Sequence, residues 1–240
     1  MIASSDQAIL AGNTVHIWTI SLDETALDLP ELLSDDEMSR FSRINHHRAR
    51  TDFLRTRTSL RLILAKYLGC PETDIVFSYN KNGKPELAED NPASLQFNLS
   101  HSGNYCLLAV TAESDVGVDI ERFQTGRDYA ALAERFFSAT EHRLLGSSLD
   151  ETLFYRMWVL KEASVKARGM KLLAGLDRFE CIAPEDGSLN IVDKLEQNDT
   201  GNWSVRQWQP DDRSIAAVVV RCAEASFVEK TLINTNGRLQ

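Results

Sequence analysis

The sequence predicts an α+β fold made of two similar halves. Strand-like runs and helical patterns mix without strict alternation, which argues against a doubly wound sheet. Each half carries several short strands and one long helix. The length, 240 residues, suits one large domain or two small halves sharing a core. A boundary falls near Thr111 to Asp115, which gives an N-terminal half over 1–113 and a C-terminal half over 114–240.

Residues 15–20, β-branched and aromatic, form the first predicted strand. Ser34 followed by Asp35, Asp36 and Glu37 marks a helix start with acids in its first turn. Over 47–68 the apolar residues Phe53, Leu54, Leu60, Ile63, Leu64 and Leu68 recur at helical spacing. Gly69 ends that helix and Pro71 follows, while the arginines fall mostly off the apolar stripe. Residues 75–78 read as a strand, and Asn82-Gly83 before Lys84-Pro85 is a turn signal. Strands are expected at 95–99 and 105–111 around the turn His101-Ser102-Gly103-Asn104, and at 116–120. Helical patterns cover 128–133, 138–145 and 151–168, and Ser138 with Glu141 three residues on is a capping-box pattern. Strands at 179–183, 203–209 and 215–221 complete the set. The polar end, 231–240, is expected to lack regular structure.

With 43% hydrophobic and 25% charged residues, the composition is that of a soluble globular protein. No apolar run approaches the roughly 20 residues that span a bilayer, and residues 1–10 lack the pattern of a signal peptide. A cytoplasmic protein is expected. Cys70, Cys106, Cys181 and Cys222 have no metal-ligand spacing and read as reduced, packed thiols.

The net charge of −9 argues against a general nucleic-acid binder. Yet Arg40, Arg43, Arg48, Arg50, Arg55, Arg57, Arg61 and Lys66 lie in one stretch with a single acid, Asp52. That island suggests a local anionic ligand, although a solvated helix face has the same composition.

Asp119 and Glu121 alternate with Val118 and Ile120, so both carboxylates share one face of a strand, about 6.6 Å apart along it. Gly117 shares that face and leaves room beside them. Two such oxygen ligands suit Mg²⁺, which binds one or two carboxylates plus substrate phosphates. A lone D-x-E is more often an acidic solvent face. Trp158, Glu162 and Lys166 follow at four-residue spacing on one side of a helix. Glu162 is a candidate third ligand and Lys166 a cation beside a phosphate, but this is also the commonest surface ion pair, and Trp158 suits a core. The hydroxyls, imidazole and free N–H groups of Ser100-His101-Ser102-Gly103 suit a phosphate, as does the Gly83-Lys84-Pro85 turn. Each also reads as an ordinary hairpin.

Gly83-Lys84-Pro85, Phe97-Asn98-Leu99-Ser100-His101-Ser102-Gly103, Gly117-Val118-Asp119-Ile120-Glu121, Arg135-Phe136-Phe137-Ser138-Ala139-Thr140-Glu141 and Trp158-Val159-Leu160-Lys161-Glu162-Ala163-Ser164-Val165-Lys166 occur in this order. Together they resemble the signature of the surfactin-synthetase-activating type of 4'-phosphopantetheinyl transferases, over about residues 40–180. The resemblance implies a pseudo-twofold pair of halves with coenzyme A in the cleft between them. It implies Mg²⁺ on Asp119, Glu121 and Glu162, with Lys166 on the phosphate side. It implies nucleotide phosphate contacts from Gly83, Lys84, Pro85, Ser100 and His101, and a 3'-phosphate held by arginines, for which Arg43, Arg50 and Arg57 are the candidates. Glu141 falls where the family has an acid near the reacting centre. One departure is visible: Gly169-Met170-Lys171 puts a lysine where the family often has a second glycine.

The implied reaction is attack by a carrier-protein serine on the β-phosphorus of coenzyme A, with release of 3',5'-ADP. Alignment and charge neutralisation dominate such a transfer. Glu162 is the expected base with Glu141 as the alternative, and Lys166 supports the leaving phosphate. The partner is an apo acyl or peptidyl carrier protein, and a chain that supplies both sides of the cleft is expected to act as a monomer. A non-catalytic carrier-protein or coenzyme A-binding module is the rival reading. Another Mg²⁺ phosphotransferase is disfavoured, because no P-loop or kinase-type glycine loop occurs.

Overall fold

The computed structural model describes residues 10, 12–23, 27–88, 95–147, 149–183, 188–196, 202–232, 234–235 and 238–239. In chain order the elements are β1 (Thr14–Ser21), α1 (Asp35–Arg43), α2 (His47–Leu68), β2 (Phe77–Tyr79), β3 (Pro85–Leu87), β4 (Gln96–Ser102) and β5 (Tyr105–Thr111). They continue with β6 (Val116–Arg122), α3 (Tyr129–Phe136), α4 (Ala139–Leu145), α5 (Glu151–Ala167), α6 (Leu172–Gly175), β7 (Phe179–Ile182) and β8 (Asn190–Asp193). The last are β9 (Ser204–Trp208), β10 (Ser214–Val220), β11 (Ser226–Thr231), β12 (Asn234–Thr235) and β13 (Arg238–Leu239).

Two sheets and two long helices form four layers. The first sheet has the order β11-β1-β5-β4 and the second β6-β10-β9, and only the β1–β11 pair in them is parallel. Strand alternation divides the apolar side chains. Trp18 and Ile20 of β1 and Leu108 and Val110 of β5 pack with Leu60, Ile63 and Leu64 of α2. Val15, Ile17, Leu107 and Ala109 point the other way, onto Val118 and Ile120 of β6 and Ala216 and Val218 of β10. The opposite face of β10, Ile215, Ala217 and Val219, packs with Phe154, Met157 and Val159 of α5. A long helix on the outer face of each sheet makes the halves similar, as the α+β expectation required. Each buried Leu, Ile or Phe in these layers contributes about 1.5–3 kcal/mol.

Capping sets the helix starts. Ser34 and Glu37 form a capping box at α1, and Ser138 and Glu141 form one at α4. Gly69 ends α2 with φ of 65°. All four cysteines are free thiols, and no helix among the described residues is long and apolar enough to cross a membrane.

The structure differs from the sequence reading in four places. Ser100, His101 and Ser102 lie within β4, and the turn itself is Gly103-Asn104, with Gly103 at φ of +59°. Arg57 and Arg61 are buried rather than off the apolar stripe, because both pair with the buried carboxylate of Glu37. Strand β11, from the C-terminal end, joins the sheet of the N-terminal half. Residues 231–240 were expected to be irregular, but Thr231 closes β11 and β12 pairs with β13; residues 233, 236, 237 and 240 lie outside the described set.

Candidate active site

The site begins with a glycine. A Cβ on Gly117 would lie 1.9 Å from the Ala163 carbonyl oxygen and 2.5 Å from the Ala167 nitrogen. Only glycine lets α5 lie this close to β6. Because β6 alternates, Asp119 and Glu121 share the Gly117 face, and Val116, Val118 and Ile120 face the core between the sheets. On α5, Glu162 meets them: one carboxylate oxygen from each of Asp119, Glu121 and Glu162 lies within 4.8 Å of the other two. Trp158, one turn earlier, is buried against Phe136 and Phe154.

Strand β4 stitches the two sheets together through alternate side chains. Asn98 accepts from the Val118 N–H (2.9 Å), and Ser102 accepts from the Arg122 N–H (3.1 Å). Between them, the Ser100 hydroxyl donates to Asp119 (2.8 Å) and accepts from Lys166 (3.0 Å). Lys166 also bonds the same Asp119 oxygen at 2.5 Å. The sequence motif around Ser100 thus reaches the acidic cluster directly.

Three carboxylates and one ammonium leave excess negative charge. Burial, then the charge of Asp119, pushes the Glu162 carboxyl up to about 8, against the pull of Lys166. Burial and Asp119 also raise Glu121, with Arg127 and Lys166 opposing. Burial works against the Lys166 ammonium, but Asp119 and Glu162 outweigh it and raise its pKa. The second oxygen of Asp119 is buried with no hydrogen-bond partner. An orphaned carboxylate oxygen among converging acids is what a hard divalent cation would satisfy.

The other face of β4 serves a cavity of about 530 Å³. Leu99 and His101 line it with Pro85, Tyr79, Arg40 and Arg57. Of the arginines expected to meet a phosphate, only Arg57 reaches this cavity, and its guanidinium is held by Glu37 (Nε–Oε1 2.6 Å). Arg43 is exposed elsewhere, and Arg50 is exposed and stacks on Phe41. Arg40 lines the cavity and stacks on Tyr79, 4.6 Å from its centroid. The sequence showed Arg40 only as one member of the basic island, because its ring partner lies far along the chain.

Two further expectations need correction. Glu141 is fully buried, and its oxygens are taken by the Lys161 ammonium (2.8 and 3.0 Å) and by the Ser138 and Cys181 N–H groups. It holds α4 against α5 and β7 and has no open oxygen for a substrate. Glu141→Gln is therefore expected to lower stability by about 3 kcal/mol, because Lys161 stays buried without a counter-charge. Denaturant unfolding would register that loss, while the KM for coenzyme A stays unchanged. Lys84, expected on a phosphate, instead aims its ammonium at two backbone carbonyls, those of Val116 and Ala167. Gly83, at φ of +90°, supplies the left-handed backbone that the turn before Lys84 requires.

A model of the 4'-phosphopantetheinyl transferase superfamily matches residues 115–219, and one described as 4'-phosphopantetheinyl transferase, N-terminal, matches residues 17–113. The chain is 37% identical over 218 residues to the 4'-phosphopantetheinyl transferase HetI of Nostoc sp., which covers 88% of this chain and 89% of that protein. This chain belongs to the 4'-phosphopantetheinyl transferase superfamily. A putative 4'-phosphopantetheinyl transferase of Synechocystis sp. is 34% identical, covering 78% of this chain and 77% of its own. The mouse L-aminoadipate-semialdehyde dehydrogenase-phosphopantetheinyl transferase is 30% identical, covering 87% and 73%. Phosphopantetheinyl transferases are enzymes, and the acidic cluster of this one lies where β6 and α5, both within the superfamily match, meet.

Proposed function

We propose that this phosphopantetheinyl transferase moves the 4'-phosphopantetheine arm of coenzyme A onto a serine of an apo carrier protein, with Asp119, Glu121 and Glu162 holding Mg²⁺. The observation that carries the proposal is the convergence of those three carboxylates, together with the buried Asp119 oxygen that has no hydrogen-bond partner. Mg²⁺ bound there would withdraw charge from the phosphoryl oxygens of the diphosphate. Lys166 and Ser100, already joined through Asp119, would hold the phosphate chain and favour the leaving 3',5'-ADP. Glu162 is the proposed base for the serine proton, and it must be ionised both to hold Mg²⁺ and to accept that proton.

The cavity on the other face of β4 is of ligand size. In this reading it takes the nucleotide end of coenzyme A, with His101, Pro85 and Arg40 as its contacts. Arg40 replaces Arg43 and Arg50 as the arginine proposed for a nucleotide phosphate. The halves 1–113 and 114–240 act together within one chain, as a cytoplasmic monomer. The test is mass spectrometry of an apo carrier protein incubated with coenzyme A, Mg²⁺ and the enzyme. Gain of one phosphopantetheine mass is expected, and its loss when Mg²⁺ is chelated. Arg40→Ala is expected to raise the KM for coenzyme A about tenfold, corresponding to roughly 1.4 kcal/mol. A KM unchanged by Arg40→Ala would remove that cavity from the substrate site.

A further inference from the structure

Lys84 lies where the two elements that carry the carboxylates come together. Its ammonium donates to the Val116 carbonyl (3.4 Å) and to the Ala167 carbonyl (3.3 Å). Val116 opens β6, just before Asp119, and Ala167 closes α5, directly after Lys166. One side chain of the N-terminal half is therefore bonded to both the strand and the helix. The Ala167 carbonyl belongs to the last turn of α5, where carbonyls lack partners within the helix and a cation is favoured by the helix dipole.

The hairpin that carries Lys84 is itself fixed to the same helix end. The Asn80 and Asn82 side-chain amides both donate to the Gly169 carbonyl, at 3.2 and 2.7 Å. Asn80 Oδ1 accepts from the backbone N–H groups of Asn82 (2.9 Å) and Lys84 (3.0 Å), closing the turn. Gly169 has φ of +59°, and a Cβ there would lie 2.6 Å from the Asn80 amide nitrogen. This contact explains a glycine at 169, whereas Lys171 at the next departure point stands outside it, as the N-cap of α6. Burial lowers the Lys84 pKa, with Asp115 and Glu86 opposing, as befits an ammonium drawn into the seam.

We propose that Lys84 is a positioning residue that clamps β6 to α5 and so sets the separation at which Asp119, Glu121 and Glu162 meet a metal ion. It acts through the Val116 and Ala167 carbonyls, not on substrate. The proposal rests on the reading of the three carboxylates as a metal site, and its test separates the two.

The experiment is a titration of the whole protein with Mn²⁺, without coenzyme A, following free Mn²⁺ by electron paramagnetic resonance. Wild type is expected to bind Mn²⁺, and Lys84→Met, which keeps the stem and removes the donors, is expected to bind it about tenfold more weakly. Asn82→Ala, a milder loosening of the same hairpin, should shift affinity in the same direction by about threefold. In turnover assays at limiting Mg²⁺, kcat should fall for Lys84→Met while the KM for coenzyme A stays within about twofold. Unchanged Mn²⁺ affinity with a raised KM for coenzyme A would make Lys84 a substrate ligand and overturn the clamp. If Lys84→Met does not fold, wild-type Mn²⁺ affinity in Asn82→Ala overturns it equally. Failure of wild type to bind Mn²⁺ would overturn the metal reading itself.

Discussion

Glu162→Gln will reduce transfer on the order of a hundredfold or more while weakening the pH sensitivity of the metal-free fold. The two effects have one origin. Glu162 is buried beside Asp119 and Glu121, and its carboxyl is pushed from 4.5 up to about 8. Between those values the folded chain keeps a proton that the unfolded chain has released. The stability this gives is complete below pH 4.5 and is lost as pH rises through about 8. Each unit of that shift corresponds to about 1.4 kcal/mol. Metal-free wild type should therefore become less stable as pH rises across this window, and added Mg²⁺ should restore stability most at the alkaline end. Glutamine keeps the shape and carries no proton equilibrium, so the slope should flatten and the Mg²⁺ effect should shrink. Activity should behave in the complementary way. Because the metal needs ionised Glu162, apparent Mg²⁺ affinity should strengthen with rising pH up to about 8. Thermal melts at several pH values, with and without Mg²⁺, would check both signs. An unaltered slope in the variant would assign the pH dependence to other groups.

Gly117→Ala is expected to be the most damaging single-methyl change in the second half. The added Cβ meets backbone on two sides, the Ala163 oxygen at 1.9 Å and the Ala167 nitrogen at 2.5 Å. Neither can rotate away, so α5 must move off β6 as a body. Overpacking of this kind typically destabilises by about 1–3 kcal/mol. The functional effect should be larger than the loss of stability suggests, because the shifted helix carries Glu162 and Lys166 away from Asp119. We expect a fold that still melts cooperatively, with Mn²⁺ affinity and kcat both reduced at least about tenfold. Ala at 117 with full activity would mean that the strand–helix distance does not control the site.

Much of this was legible in residue order. The helical spacing of Phe53 through Leu68 with Gly69 behind it gave α2 to the residue, because stripe and cap agree there. The alternation around Asp119 and Glu121 correctly assigned one face to the core and one to the acids. Other elements were silent for physical reasons. Strand β11 is a largely exposed edge with little apolar alternation, so only its pairing with β1 defines it. Strand β3 is three residues long, too short for any period to register, whereas β2, equally short, is legible as the run 75–78 and lies at Phe77–Tyr79. The partners of Glu141, Arg57 and Lys84 were not legible because composition shows a charge and not its partner. Lys161, Glu37 and the Val116 and Ala167 carbonyls are all distant in sequence from the groups they satisfy. The same limit hid Arg40, whose place in the cavity depends on Tyr79.

The most direct measurement is anomalous diffraction from crystals grown with coenzyme A and Mn²⁺. A single manganese peak bonded to oxygens of Asp119, Glu121 and Glu162, with the coenzyme A diphosphate in its remaining coordination sphere, is the predicted result. Manganese bound elsewhere, with the diphosphate distant from these three side chains, would contradict it.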